Sequence, residues 1–485
     1  MNAPDPRPKA RRARGLQDRR GPGLAVERGL IEAIAKVYED WGFEPLETPA
    51  FEYADALGKF LPDQDRPNEG VFAFEDDDDQ WLALRYDLTA PLARFVAENF
   101  DTLPKPYRRW AAGPVWRNEK PGPGRYREFW QCDADTVGSA SPAADAEMIA
   151  MACAALEAAG ARKGDYTVRI STRRLLDGLL ENLGVGQADP RRLTVLRAID
   201  KLDRLSSKGV QALLGVGRKD ESGDFTQGAG LDDAAINRVM GFLSTGGDRA
   251  GTIQKLGEFV SGPIAEAGLR ELGVIDSALS ALKVGAEAWV DPAVVRGLEY
   301  YTGAVFEAEL IGALDAEGDS IRFGSVGGGG RYDDLIARFR GERIPATGFS
   351  IGVSRLAAAL QAQQAAQADG PVVVLVMDQA RIGEALAMAN ELRAGGVRAE
   401  AYLGGGAMKA QLKYADKRAA PVAIIQGGDE LAKGVVTLKD LKLGARIAQN
   451  LGEDREAYAK SREQVQREVP RAGLVAAVRE VLAKT

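Results

Sequence analysis

The sequence predicts a multidomain chain that combines α+β and α/β architecture, on three observations. Residues Gly113 to Gly138 read GPVWRNEKPGPGRYREFWQCDADTVG: an apolar run to Trp116 and Arg117, a Pro121-Gly122-Pro123-Gly124 turn, and a second extended run. Gly/Pro clusters between aromatic-rich runs signal a β-hairpin, and hence an antiparallel sheet. From about Leu175 to Lys283 the text is helical and thinly punctuated, with breaks at Gly228-Ala229-Gly230 and Gly246-Gly247. Beyond the stretch Gln361 to Gly370, apolar runs alternate with amphipathic helices, the pattern of a small α/β domain with a largely parallel core.

The 485 residues are 45% hydrophobic and 27% charged, an ordinary globular composition, and the length suits roughly three domains. No apolar run approaches the roughly 20 residues of a membrane span; the longest clear one is Val372 to Met377. The basic N-terminus lacks the apolar segment of a signal peptide, so a cytoplasmic protein is the default expectation. Cys132 and Cys153 cannot make a disulfide framework or a four-cysteine zinc site. A net charge of −7 leaves nucleic-acid binding open, because phosphate contacts depend on local patches. There is no histidine, which excludes Ser-His-Asp triads, His-ligated zinc and imidazole bases. The chemistry must run on carboxylates, arginines, bound metal or the substrate's own groups.

In chain order, residues 1–23 carry Arg7, Lys9, Arg11, Arg12, Arg14, Arg19 and Arg20 among Pro and Gly, and are expected to form a flexible basic tail. A phosphate-contacting arm is the sharper alternative. Leu24 to Trp41 has helical spacing of apolar residues, Gly42 ends it, and Glu44 to Pro49 reads as extended. Asp76 to Asp79 reads as a solvated turn, since adjacent carboxylates diverge and Mg2+ is exacting about geometry. WLALRYDLTAP, from Trp81 to Pro91, reads as a strand leading to Asp87 and Thr89 and then a helix that both could cap. Asp145 to Ala159 is an Ala-rich helix and Tyr166 to Ile170 a strand; Asp291 to Glu309 holds VVRGLEYYTGAVFEAE, an extended segment with a glycine of the kind that marks a bulge. Ser325 to Leu335 reads SVGGGGRYDDL, whose glycines admit close approach of a ligand, and ATGFSIGVSRLAAAL, from Ala346 to Leu360, is a strand running into a helix. In the last domain Val372–Met377, Val397–Leu403 and Val422–Gln426 read as strands. Ile382–Leu392, Met408–Lys417 and a final segment using Leu474, Val475, Val478, Val481 and Leu482 read as helices.

Parity sorts the hairpin's second run. One face carries Arg125, Arg127, Phe129, Gln131, Asp133 and Asp135; the other carries Tyr126, Glu128, Trp130, Cys132, Ala134 and Thr136. Cations, a flat ring, an amide and then carboxylates suit a ligand with phosphates at one end, an aromatic base in the middle and a hydrogen-donating group at the other. A charged edge strand is the plain alternative.

This stretch resembles motif 2 of the class II aminoacyl-tRNA synthetases, and GRYREFWQCDADTVG is similar to the version in histidyl-tRNA synthetases. The resemblance implies an antiparallel-sheet catalytic domain, with Arg117 on the α-phosphate of ATP, Phe129 stacked on adenine, Glu119 and Arg125 also in the ATP site, and Gln131 and Asp135 lining a histidine pocket. Arginine suits phosphate geometry, and a carboxylate can accept from an imidazole N–H. Gln131 and Asp135 are about 13 Å apart in a fully extended strand, so a bulge or bend is expected to bring them together.

Other segments extend the resemblance. Arg14 to Asp18 is similar to the family's opening motif, and the helix and strand ending at Pro49 to motif 1, a dimer element. LRYDLT implies that Asp87 and Thr89 bind the substrate's α-ammonium. RGLEYY closely resembles a signature restricted to histidyl enzymes, which implies Arg296 as catalytic arginine and Tyr300 and Tyr301 beside the histidine. GGRYDDL resembles the second signature, with Tyr332 in the pocket and Asp334 where glycine is usual; the segment from Ala346 resembles motif 3, with Arg355 on ATP. The helical stretch matches an insertion thought to reach the tRNA acceptor stem, and the last domain an anticodon-binding domain, where single-stranded bases are read by edges and stacking.

The implied organisation is a tail over 1–23, catalytic segments over 24–174 and 286–362, a helical insertion over 175–285, a linker over 363–370 and an anticodon-binding domain over 371–485. The implied function is histidine–tRNA ligation by a homodimer using ATP, Mg2+, L-histidine and histidine tRNA, with no metal ligands among the protein residues named. The substrate carboxylate is already anionic at neutral pH and needs no base. The rival is a catalytically silent paralogue, the histidine-sensing regulatory subunit of ATP phosphoribosyltransferase. That subunit usually lacks the anticodon domain and the catalytic arginine, whereas residues 371–485 and Arg296 are here. The short KPGPG turn departs from the usual bacterial type and implies altered recognition of the extra 5′ guanosine that many family members require.

Overall fold

The computed structural model describes residues 9–60, 70–122, 126–202, 205–219, 223–295, 301–311, 313–314, 320–321, 324–363, 370–451 and 465–484. The chain divides into two units, Met1–Ala365 and Ala366–Thr485, each with its own core.

In the first unit, α1 (Gly21–Asp40) leads to β1 (Glu44–Pro45). Strands β2 (Phe51–Tyr53), β3 (Ala73–Glu75) and β4 (Trp81–Leu84) form a small antiparallel sheet in the order β2-β4-β3. Next come α2 (Thr89–Asn99), the long hairpin β5 (Tyr107–Trp116) and β6 (Glu128–Val137), α3 (Pro142–Ala158) and β7 (Tyr166–Thr172). The helical stretch contains α4 (Arg173–Asn182), α5 (Arg191–Ile199), α6 (Ser207–Leu214), α7 (Asp233–Leu243), α8 (Arg249–Leu256) and α9 (Pro263–Ala281). It is not wholly helical: β8 (Gly217–Lys219) and β9 (Phe225–Gln227) make a small hairpin between α6 and α7, too short for its alternation to stand out in the sequence. The unit closes with β10 (Ala288–Val290), β11 (Ala304–Leu310), the pair β12 (Ala313–Leu314) and β13 (Ser320–Ile321), β14 (Ser325–Arg331), α10 (Ala337–Arg340), β15 (Ala346–Gly352) and α11 (Val353–Gln363).

Among the described residues, eight strands make the main sheet in the order β1-β5-β6-β15-β14-β11-β7-β10. Every inner pairing is antiparallel, while β1 and β10 pair parallel at the edges. One face carries Cys132 and Ala134 of β6 into the main core. There α3 packs against α1 and α9, and its small side chains let the helices approach closely. Ser141 caps α3, accepting from Ala143 N.

Residues 14–23 are not the free tail expected of them. Helix α1 already begins at Gly21, the Gly15 carbonyl accepts from Arg127 N at 2.8 Å, and Arg19 pairs with Glu27 and lies 5.2 Å from the centre of the Trp130 ring. Composition pointed to solvation, but Arg19 has partners on the hairpin and on α1. Asp76 does form a local turn, its carboxylate accepting from Asp78 N and Gln80 N.

The second unit contains β16 (Val372–Val374), α12 (Ile382–Ala394), β17 (Ala399–Ala401), α13 (Met408–Lys417), β18 (Val422–Ile425), α14 (Gly428–Ala432), β19 (Val435–Asp440), α15 (Leu441–Leu451), β20 (Gln466–Pro470) and α16 (Leu474–Leu482). Its sheet, ordered β17-β16-β18-β19-β20, is mixed rather than largely parallel: β16 pairs parallel with β17 and β18, and β19 pairs antiparallel with both neighbours. The apolar run at 372–377 is continuous because both faces are covered. Val372 and Val374 pack with α12 and α16, and Val373 and Leu375 with α13.

Candidate active site

The opposite face of the main sheet is polar and laid out by register. On β5, β6 and β15 it presents three rows: Arg109, Asp135 and Gly348; Ala111, Asp133 and Ser350; Gly113, Gln131 and Gly352. Beyond them Val115 sits opposite Phe129. The register is unbroken through β6 on both sides, so the bulge expected between Gln131 and Asp135 is absent; the two stay on one face by simple alternation, with Asp133 between them.

Phe129 packs with Leu88, Ala111 and Val115. Arg117 follows β5, with its guanidinium carbon 5.0 Å from the Phe129 ring centre and its Nε donating to Tyr86 O at 3.2 Å. Its backbone N donates to Arg127 O at 2.9 Å. Asp87 caps α2: its Oδ1 accepts from Thr89 N at 3.1 Å and Ala90 N at 2.9 Å. Burial raises the Asp87 carboxyl, against the lowering effect of those amides and Arg117.

The Gln131 Nε2 donates to Ser350 Oγ at 2.6 Å, and its Oε1 has no hydrogen-bond partner among the described residues. Asp135 is held at both oxygens: Oδ1 accepts from the Tyr332 hydroxyl, and Oδ2 is paired with Arg109 Nη2 at 2.8 Å. Burial raises its carboxyl, opposed by Arg109 and Tyr332. Asp133, also buried, is pushed up to about 7 by desolvation, with Arg109 acting the other way. Behind Tyr332, Arg331 is buried against Asp145 at 2.7 Å and donates to the carbonyls of Ser139 and Ser141.

Backbone geometry leaves room where side chains would intrude. A Cβ on Gly328 or Gly352 would meet nothing closer than 3.6 or 3.7 Å, while one on Gly330 would sit 2.9 Å from the Tyr301 ring. Bare strand beside open space suits a flat ligand lying close to the sheet.

Asp87, Thr89, Arg117, Phe129, Gln131, Asp135, Tyr301 and Tyr332 therefore cluster around one face. Arg355 is exposed beyond β15, at the Phe129 end, where its Nη1 donates to Ser325 O at 2.6 Å. Glu119 is exposed past β5, its carbonyl accepting from Arg127 Nε at 2.9 Å. Arg125, Arg296 and Tyr300 lie outside the described residues. Arg109, Ser350 and Gly348 were missed from sequence, and Asp133 was placed on the ligand face without a role. The parity argument applied to β5 would have found Arg109, a charge among apolar residues opposite Asp135.

Comparison with known proteins gives this face a lineage. A family model described as Histidyl-tRNA synthetase matches residues 15–356, and one described as Anticodon binding domain matches residues 371–480. A Histidine–tRNA ligase of Caulobacter vibrioides is 57% identical over 486 residues, covering 99% of this chain and 98% of the relative. Another, from Methylocella silvestris, is 54% identical over 99% of this chain and 98% of its own length. The crystal structure of histidyl-tRNA synthetase from Nostoc sp. PCC 7120 superposes with a TM-score of 0.72 at 27% identity, covering 99% of this chain and all of that one. A Bacillus halodurans structure described as an ATP phosphoribosyltransferase regulatory subunit/histidyl-tRNA synthetase shares the fold, with a TM-score of 0.65 at 23% identity over 84% of this chain and 97% of its own. With one family model spanning the first unit's polar face and relatives more than half identical along nearly all of its length, the chain belongs to the histidyl-tRNA synthetase family.

Proposed function

We propose that this chain is a histidine–tRNA ligase that activates L-histidine with ATP and then transfers it to the 3′ end of histidine tRNA. The observation that carries the reading is the order of groups along one strand face. An arginine over a phenylalanine at one end gives way to an amide and a Tyr332-bound carboxylate at the other. In activation, a histidine carboxylate oxygen bonds to the α-phosphorus, the bond to the bridging oxygen breaks, and pyrophosphate leaves. Arg117 and Arg296 would hold the α-phosphate and the developing charge, since guanidinium stays cationic and matches phosphate geometry. Phe129 would stack on adenine, with Glu119, Arg125 and Arg355 on the rest of ATP. Asp87 and Thr89 would take the α-ammonium, and Gln131, Asp135, Tyr300, Tyr301 and Tyr332 the imidazole. A pocket built to hydrogen-bond a ring N–H rejects side chains that cannot bond by roughly 10⁴–10⁵-fold.

Among the described residues no three carboxylate or cysteine groups gather as a metal cage. Mg2+ would be held by the ATP phosphates, its common mode. Residues 371–485 would bind the anticodon and 175–285 the acceptor end, with 24–174 and 286–362 as the catalytic parts and 363–370 as linker. A homodimer is supported by the small sheet β2-β4-β3, which exposes Phe51, Tyr53 and Phe74. Among the described residues no helix is long and apolar enough to cross a membrane, and we place the protein in the cytoplasm.

Histidine-dependent ATP–pyrophosphate exchange, with Arg296→Ala beside the wild type, tests the reading. Exchange that requires histidine and collapses in the variant supports it. Histidine binding without exchange would favour the regulatory alternative.

A further inference from the structure

Arg109 heads the fully buried side chains by volume, and none of the roles above uses it. A buried arginine is uncommon and needs partners. Its Nη2 makes two contacts on different elements: it donates to Leu88 O at 2.9 Å and pairs with Asp135 Oδ2 at 2.8 Å. Leu88 lies between Asp87 and Thr89, the proposed ammonium ligands; Asp135 is the proposed imidazole acceptor. One guanidinium nitrogen thus ties together the two ends of the amino-acid pocket.

We propose that Arg109 is a positioning residue for histidine: it sets the span between the ammonium and imidazole ends of the pocket and orients Asp135. The proposal rests on the histidine-pocket reading above. Two carboxylates, Asp133 and Asp135, occupy alternate positions of one strand face, and two buried like charges favour sharing a proton unless a cation offsets them. The groups facing Asp133 are Arg109 from β5, Asp135 from β6, Ser350 from β15, and Arg85 and Asp87 from the segment before α2, with Tyr38 of α1 behind. Arg109 opposes the rise of both carboxyls. With Arg109 in place, Asp135 faces the ring N–H with one oxygen fixed by the guanidinium and the other by Tyr332.

Pyrophosphate exchange on the full chain tests this, with KM for histidine and for ATP measured separately. Losing the hydrogen bond to Leu88 O together with the Asp135 ion pair corresponds to a rise of roughly 10- to 150-fold, so Arg109→Met is expected to raise the histidine KM about 100-fold and the ATP KM less than about threefold. Arg109→Lys keeps the charge but not the planar guanidinium that places Nη2 between Leu88 O and Asp135, and should fall between, at about tenfold. Adding Asp133→Asn to Arg109→Met removes the uncompensated second carboxylate and should lower the histidine KM about tenfold relative to Arg109→Met alone. Arg108→Met, on the other face of the same strand, where the side chain pairs with Glu147 at 2.7 Å, serves as control. A histidine KM unchanged in Arg109→Met, or both KM values rising together, would overturn the proposal as mere packing. If Arg109→Met does not fold, Arg109→Lys is read alone by the same split. Absence of histidine-dependent exchange in the wild type would instead sink the pocket reading itself.

Discussion

Gly348→Ala is a one-methyl perturbation whose effect follows from the geometry. A Cβ there would sit 1.9 Å from Asp135 Oδ1, 2.6 Å from its Cγ and 2.9 Å from the Ala134 carbonyl oxygen. Asp135 cannot simply rotate away, because Tyr332 holds one oxygen and Arg109 the other. Displacing it forfeits a charged hydrogen bond worth about 1.5–3 kcal/mol. Squeezing the backbone adds about 1–3 kcal/mol of overpacking. Together they destabilise the fold by about 2.5–6 kcal/mol, read by urea unfolding. The substrate loses its oriented acceptor as well, so the histidine KM should rise roughly 10- to 150-fold at 1.36 kcal/mol per decade. The ATP KM should stay within about twofold, because Phe129 and Arg117 lie at the far end of the strand. Gly352→Ala, with open space above it, should keep wild-type stability. A wild-type histidine KM in Gly348→Ala, or an equal rise for ATP, would refute the reasoning.

Other consequences can be checked directly. Gly15 has φ +80°, and a Cβ there would lie 2.8 Å from Arg127 Cδ; Gly15→Ala should loosen the base of the motif 2 turn and raise the ATP KM several-fold while sparing histidine, whereas equal effects on both would count against it. Asp145→Asn strands the buried Arg331 and should cost about 3 kcal/mol in urea unfolding, and an unaltered midpoint would refute it. The Asp133 carboxyl, at about 7 folded against 3.8 ordinarily, holds its proton more tightly in the native state. It therefore weakens the fold as pH rises from about 4 to 7, by up to about 4 kcal/mol, and no further above that. Asp133→Asn should remove this slope, and a variant-to-wild-type difference that is constant from pH 5 to 8 would contradict it. Transcripts with and without an extra 5′ guanosine should be charged comparably, and strong dependence on that base would end the idea of altered acceptor-end recognition.

Alternation made much of the site legible. It divided β6 into a core face with Cys132 and Ala134 and a polar face with Gln131, Asp133 and Asp135. It failed where partners come from afar in the chain. Nothing local announces that Arg109 of β5 reaches Leu88, or that Gly15 binds the backbone of Arg127 more than a hundred residues on. Residues 14–20 read as solvated because composition counts charge and not partners. The second unit's mixed sheet escaped notice because β19 and β20 carry charged residues, Lys439, Asp440, Arg467 and Glu468, among their apolar ones.

The glycine floor has an evolutionary corollary. At Gly348 a methyl group collides with Asp135, the proposed imidazole acceptor; at Gly330 it would meet Ala304 O at 2.5 Å. These positions tolerate no gradual enlargement, so the floor beside Asp135 cannot be reshaped by small steps toward another amino acid. Retargeting must begin on β6, where Gln131 and Asp135 can be exchanged without moving backbone. A library confined to those two positions and Tyr332 would sample the accessible specificities, whereas one spread over Gly330 and Gly348 would mostly return misfolded chains.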